Sequence, residues 1–192
     1  MVRVVMVSYS RTGHTNALAL EVSRRLSAAG LSVDSRQLRP ARELGFVRTL
    51  RCVLGHGAEP CAYDPVDLKG ASLVLLGTPV WGRGVAPYIR RFIRETKDLT
   101  GMPVVLFTTT ANGDHRAAEE LRGLVRERGG RPYAYEAWRI NADGASGLDS
   151  AASRIVRATI ELLPRDGLGD GNGRPVPRAD DRKAAGPRNG AS

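Results

Sequence analysis

The chain has 192 residues, 42% hydrophobic and 26% charged, a balance that suits one globular domain and excludes a fully disordered, collagen-like or fibrous chain. Its formal charge is +9, and all but Lys69, Lys97 and Lys183 of its 29 basic residues are arginines, scattered and not clustered. No run approaches the roughly 20 apolar residues of a bilayer-spanning helix, residues 1–8 are too short for a signal peptide, and Cys52 and Cys61 make neither a disulfide framework nor a CxxC motif. These features predict a soluble, cytoplasmic protein.

Residues 2–7 form a β-branched run that reads as a buried strand. Leu18, Val22, Leu26 and Ala29 then recur on one face of a helix that Gly30 is placed to end. Residues 32–38 read as a more polar strand. The stretch 39–70 is long for a connection; its apolar part, 46–54, reads as helical, and Gly55, Gly57, Pro60 and Pro65 follow. Such a segment suits a lid or a partner surface. A fully apolar strand is predicted at 73–77, and a helical stripe follows at Val85, Ile89, Phe92, Ile93 and Thr96. Residues 104–108 are the third strong strand. Leu121, Leu124 and Val125 mark a helix stopping at Gly129 and Gly130; residues 132–138 are an aromatic-rich strand; the periodic run from Leu148 to Leu163 is the last helix, ended by Pro164. Residues 165–192 are rich in glycine, proline and arginine and have little to bury, which predicts a disordered tail after a domain at 1–164.

Strands alternating with helices predict an α/β fold with a doubly wound, five-stranded parallel sheet in the order 2-1-3-4-5. Ligands of such sheets bind beyond the carboxyl ends of the strands, where the strand order reverses. Three segments fall there. After the first strand comes Ser10-Arg11-Thr12-Gly13-His14-Thr15, with three hydroxyls and a glycine at a helix start, which suits a phosphate; capping of the helix by Ser or Thr is the rival explanation. The loop is neither GxGxxG nor GxxxxGK[ST], which argues against a dinucleotide or a nucleoside triphosphate. After the third strand comes Thr78-Pro79-Val80-Trp81-Gly82, where a tryptophan beside glycines can stack on a flat ring or fold over the adjacent helix. After the fourth comes Thr109-Thr110-Ala111-Asn112-Gly113, which can bond the edge of a heterocycle or form a polar turn with Asp114 as a helix cap. An anion cradle, a stacker and polar edge groups together describe a site for a phosphate joined to a flat ring, as in FMN.

On these residues the chain resembles the flavodoxin family. Ser10 to Thr15 matches its phosphate loop of the form [ST]-x-T-G-x-T, residues 73–92 with Gly77-Thr78-Pro79-Val80-Trp81-Gly82 resemble its second flavin loop, and residues 108–113 fall where its third belongs. The likeness spans roughly residues 2–163. It implies a flavodoxin-like fold, tightly held FMN and electron transfer to or from a partner protein. The chain differs from many flavodoxins in having no Tyr between Thr108 and His115, and in being strongly basic, which points to an acidic redox partner. The related NAD(P)H:quinone oxidoreductases also carry a Gly-Thr-Pro loop, so an enzyme using NAD(P)H and a quinone is the alternative.

A third reading is a basic binding module without flavin, but no nucleic-acid motif occurs, which argues against nucleic acid. His14, His56 and His115 are too far apart in sequence for helical metal-ligand spacing, so no metal is expected. A nucleophile elbow GxSxG is absent. His115 is a candidate proton donor in quinone reduction, and no other catalytic residue is assigned.

Overall fold

A computed structural model describes residues 2–39, 65–82, 84–97, 99–111, 113 and 115–163, the side chain of His115 excepted. The apolar segment 46–54, both cysteines, His56, Arg83, Asn112, Asp114 and the tail 165–192 lie outside these residues. The elements in chain order are β1 (Arg3–Ser8), α1 (His14–Ala28), β2 (Ser32–Gln37), β3 (Leu73–Trp81), β4 (Gly84–Val85), α2 (Pro87–Glu95), β5 (Pro103–Thr110), α3 (His115–Glu127), β6 (Arg131–Arg139) and α4 (Ile140–Leu162).

The main sheet runs β2-β1-β3-β5-β6, every neighbouring pair parallel, which is the order 2-1-3-4-5 once the short β4 is set aside. Side chains alternate across it because successive Cβ atoms point to opposite faces. Val4, Met6, Leu73, Leu75, Val105 and Phe107 join one core with Leu18, Val22 and Leu26 of α1 and Ile155 of α4. Val5, Val7, Val74, Leu76, Val104 and Leu106 join the other with Ile89 and Phe92 of α2 and Leu121 and Val125 of α3. Helices thus cover both faces, and the buried residues of the central strands are apolar up to Ser8, Thr78, Thr108, Thr109 and Thr110 near their carboxyl ends. Each large apolar side chain buried this way contributes about 1.5–3 kcal/mol. The polar composition of β2 fits its place at the sheet edge, where Asp34 accepts hydrogen bonds from Arg3 and Arg36.

Two elements exceed the sequence expectation. β3 does not stop at Gly77 but continues to Trp81, where it turns back antiparallel through Val80↔Val85 and Trp81↔Gly84. Glu120 of α3 holds this hairpin, accepting the Val85 N–H at 2.9 Å and Arg90 Nε at 2.7 Å. α4 begins at Ile140 and bends at Gly144, whose φ of 56° and ψ of −154° interrupt the helix. Small residues fill this first part, so apolar spacing reveals only the helix beyond it. Trp138 donates its indole N–H to the Gly144 carbonyl at 3.0 Å, and Asp143 accepts the Arg139 backbone N–H at 3.0 Å.

Close packing at the middle of the sheet sets a testable limit. Gly77 lies opposite Phe107 in the β3–β5 register, and a Cβ on Gly77 would run into the Phe107 ring. Gly77→Ala is expected to cost about 1–3 kcal/mol through overpacking. Equilibrium urea unfolding checks this, and an unchanged midpoint would mean that the ring does not fill that space.

Candidate functional site

β1, β3 and β5 are adjacent, so the segments that leave their carboxyl ends converge at one end of the sheet. β1 passes into α1 on one face, while the hairpin after β3 leads into α2 on the other. The crevice between them is bounded by the three segments singled out in the sequence. Tyr9 N–H bonds the Gly77 carbonyl at 3.1 Å, tying the first segment to the strand that carries the second.

In the first segment Arg11, Thr12 and Gly13 are exposed, Ser10 and His14 half-buried, and Thr15 buried. Gly13 occupies the cap position of α1 with φ 91°, a left-handed conformation that side chains with a Cβ rarely adopt. It has no side chain to offer the helix, and no other side chain caps α1. Ser10 Oγ accepts instead from the Gly13 N–H at 3.1 Å, one step before the helix. Capping by Ser or Thr is therefore not what these residues do. The first turn of α1 also has no acidic residue, so its amide N–H groups and the positive end of its dipole face outward uncompensated. That arrangement suits an anion.

Thr15 has another partner. Its Oγ1 lies 2.6 Å from Thr109 Oγ1, with both residues buried. This hydroxyl pair joins α1 to the end of β5, and so the first segment to the third.

In the second segment Thr78 is fully buried; its Oγ1 donates to the Pro79 carbonyl at 3.0 Å and accepts the Ala86 N–H at 3.2 Å, which pins the hairpin. Pro79, Val80 and Trp81 are half-buried and Gly82 is exposed. Trp81 sits at the end of a strand, with its ring meeting Tyr9 edge-on at 5.7 Å and Tyr88 of α2 at 6.1 Å. Contact with the adjacent helix is thus realised. The Arg11 guanidinium lies over the Trp81 ring, 5.5 Å from its centroid.

In the third segment the hydroxyls are engaged within the protein. Thr108 Oγ1 meets the Tyr135 hydroxyl at 2.7 Å, Thr109 meets Thr15, and Thr110 Oγ1 accepts the Gly113 N–H at 3.0 Å. Ala111 and Gly113 are exposed. The Arg139 side chain passes close to Gly113 and bonds Asp143 at 2.8 Å. Hydrogen bonds from the Arg139 side chain and backbone hold the Asp143 carboxyl below the usual carboxylate range, so it balances Arg139 at neutral pH.

The sequence reading did not identify Tyr9 or Glu120. Tyr9 directly follows the strand before the motif, a place that marks it as a candidate in retrospect. Glu120 lies among polar helix residues and gives no local signal. Among the described residues no cluster of three or more His, Cys, Asp or Glu could hold a metal, and no helix is long and apolar enough to cross a membrane. Grooves of about 500 and 400 Å³ lie at the opposite end of the sheet, near Lys69, Lys97, Thr100 and Arg128, and take no part in this site.

No family model and no curated protein matches the sequence. Solved structures do match the fold. A flavoprotein from Lactobacillus acidophilus NCFM, in complex with FMN, superposes with a TM-score of 0.61 at 17% identity, covering 79% of this chain and 99% of that one. A flavodoxin from the domain Archaea gives 0.58 at 13% identity, covering 84% and 99%. An oxidoreductase from Corynebacterium diphtheriae gives 0.54 at 16% identity, covering 84% and 94%. At these identities the likeness shows the fold: this chain is a flavodoxin-like α/β protein.

The Thr15–Thr109 pair yields a prediction. Thr15→Val or Thr109→Val alone leaves a buried hydroxyl without its partner and is expected to cost about 1–3 kcal/mol. The double variant should cost less than the sum of the two. Thermal unfolding of the four proteins in the cycle measures this, and strict additivity would mean that the hydroxyls do not meet.

Proposed function

We propose that this protein binds FMN in the crevice between its first, second and third carboxyl-end segments and transfers electrons to or from a partner protein. The observation that carries the proposal is the start of α1: an uncapped helix end beside Ser10 and Thr12, converging with an aromatic platform from the next strand. The residues fit the group. The first-turn amides and the hydroxyls of Ser10 and Thr12 supply donors for a phosphate, and Arg11 supplies positive charge. Gly13 adds no side chain that would crowd the approach, and His14 lines the entry to the helix. Trp81, flanked by Pro79, Val80 and Gly82, offers a flat surface for a ring. Thr78 acts by holding the hairpin in place. The third segment, Thr109 to Gly113, offers backbone groups to a heterocycle's edge, because its threonine hydroxyls are used in positioning it.

Bound FMN supplies one- or two-electron redox chemistry; the chain binds it, orients it and shields one side of it from water. The excess of arginine fits an acidic partner, with association that slows as salt rises. A second reading, an oxidoreductase that takes electrons from NAD(P)H and passes them to a quinone, is favoured by the fold match to a protein named an oxidoreductase. Anaerobic mixing of flavin-loaded protein with NADH or NADPH separates the two: direct bleaching of the flavin followed by turnover with a quinone favours the enzyme, and no bleaching until a reductase is added favours the carrier.

Titration of FMN into the apoprotein tests the site. Thr12→Val removes a donor to a charged group and is expected to weaken binding by about 1.5–3 kcal/mol. Trp81→Ala is expected to weaken it by about 0.5–1.5 kcal/mol beyond the lost area and to raise the fluorescence of bound flavin. Wild-type affinity in both variants would remove these segments from the site.

A further inference from the structure

The walls of the crevice are joined pairwise. The first segment is tied to β3 by the Tyr9 N–H and the Gly77 carbonyl, and to β5 by Thr15 and Thr109. The hairpin is tied to α3, the helix that follows the third segment, through Glu120 in its second turn. The Glu120 carboxylate accepts the Val85 N–H at 2.9 Å and Arg90 Nε at 2.7 Å, and Arg90 also donates to the Val85 carbonyl at 3.3 Å. One ion pair therefore holds both backbone polar groups of Val85. Its Arg90 and Glu120 side chains are only 17% and 30% exposed. The neighbouring Glu119 is exposed and pairs with Arg122 instead.

This clamp acts on the residues laid against Trp81. Val85 pairs with Val80, and Gly84 pairs with Trp81 itself. Gly84 leaves room for the carboxylate, since a Cβ there would lie 2.7 Å from Glu120 Oε2. A strand as short as Gly84–Val85 has little stability of its own. Without the carboxylate the hairpin keeps fewer contacts, and Trp81 has more freedom to lose when a flat ring arrives.

We propose that Glu120 is a positioning residue for the flat-ring ligand: by fixing the hairpin to α3 it sets where Trp81 stands against the third segment, and so how tightly a ring is held. This rests on the FMN reading above and adds a determinant of ring affinity that is independent of the phosphate. Its sign differs from that of a charge effect. Removing a negative charge favours an anionic ligand, so by charge alone the loss of Glu120 would tighten FMN and leave neutral riboflavin unchanged. Loss of the clamp weakens both.

The test measures equilibrium affinities of the full apoprotein chain for FMN and for riboflavin, with the fluorescence of bound flavin at saturation. Glu120→Ala is expected to weaken both ligands by about tenfold. It should also brighten bound riboflavin, because the ring is no longer held against Trp81. Glu120→Gln keeps an acceptor for the Val85 N–H and is expected to retain most of the affinity, while Glu119→Ala changes neither ligand. In a Trp81→Ala background, Glu120→Ala is expected to add little, since it acts through that ring. Wild-type riboflavin affinity in Glu120→Ala, a loss confined to FMN, the same loss in Glu119→Ala, or full additivity with Trp81→Ala overturns the proposal. Should Glu120→Ala not fold, Gly84→Ala decides, because it displaces the carboxylate without removing it. Weaker binding of both flavins in that variant supports the proposal, and unchanged riboflavin affinity overturns it. A wild type that binds neither flavin refutes the FMN reading itself, and the proposal with it.

Discussion

The site depends on one topological constraint. β1 and β3 lie side by side in parallel, yet the chain leaves them toward opposite faces of the sheet, into α1 and, through the hairpin, into α2. A parallel sheet covered on both faces must open a crevice where its connections part in this way. That crevice brings the hydroxyl-rich turn, the Trp81 hairpin and the end of β5 together from three distant parts of the sequence. The apolar central strands make it rigid. They are buried on both sides, and Gly77 lets the Phe107 ring close the layer beneath the crevice.

Much of the polar chemistry near the crevice holds the loops in position. Thr15 and Thr109 spend their hydroxyls on each other, Thr78 on the hairpin, and Thr110 on Gly113. Fixing loops through buried hydrogen bonds is one way to preorganise a site, since a loop already held has less freedom to lose when a ligand arrives. What stays available for a ligand is the helix start, the Ser10 and Thr12 hydroxyls, backbone groups and the Trp81 surface. The division follows burial: the threonines inside the sheet end are bonded within the protein, and Arg11, Thr12 and Gly13 of the turn before α1 are exposed.

The fold was legible because its signals are local and strong. The runs at 2–7, 73–77 and 104–108 are apolar but for Arg3 and Thr108, as befits strands buried on both faces. The spacing of Leu18, Val22 and Leu26 could serve only a helix packed on one side. The hairpin at Gly84–Val85 was not legible, because two paired residues leave no period and their anchor, Glu120, lies far along the chain. For the candidate site, the three segments that the sequence singles out all lie at the carboxyl end of the sheet. The sequence did not distinguish hydroxyls that face outward from those consumed inside, because Thr12 and Thr15 look alike in a motif, and only the fold leaves Thr12 in the exposed turn and buries Thr15 in the first turn of α1.

The central claim is that the turn before α1 exists to hold a phosphate. The most direct measurement compares the equilibrium affinity of the apoprotein for FMN with that for riboflavin, which carries the same ring without the phosphate. With several charge-assisted hydrogen bonds at the helix start, FMN is predicted to bind on the order of a hundredfold more tightly. Equal affinity for the two would contradict the account, because the ring alone would then carry the binding and the Ser10–Thr15 turn would have no ligand to hold.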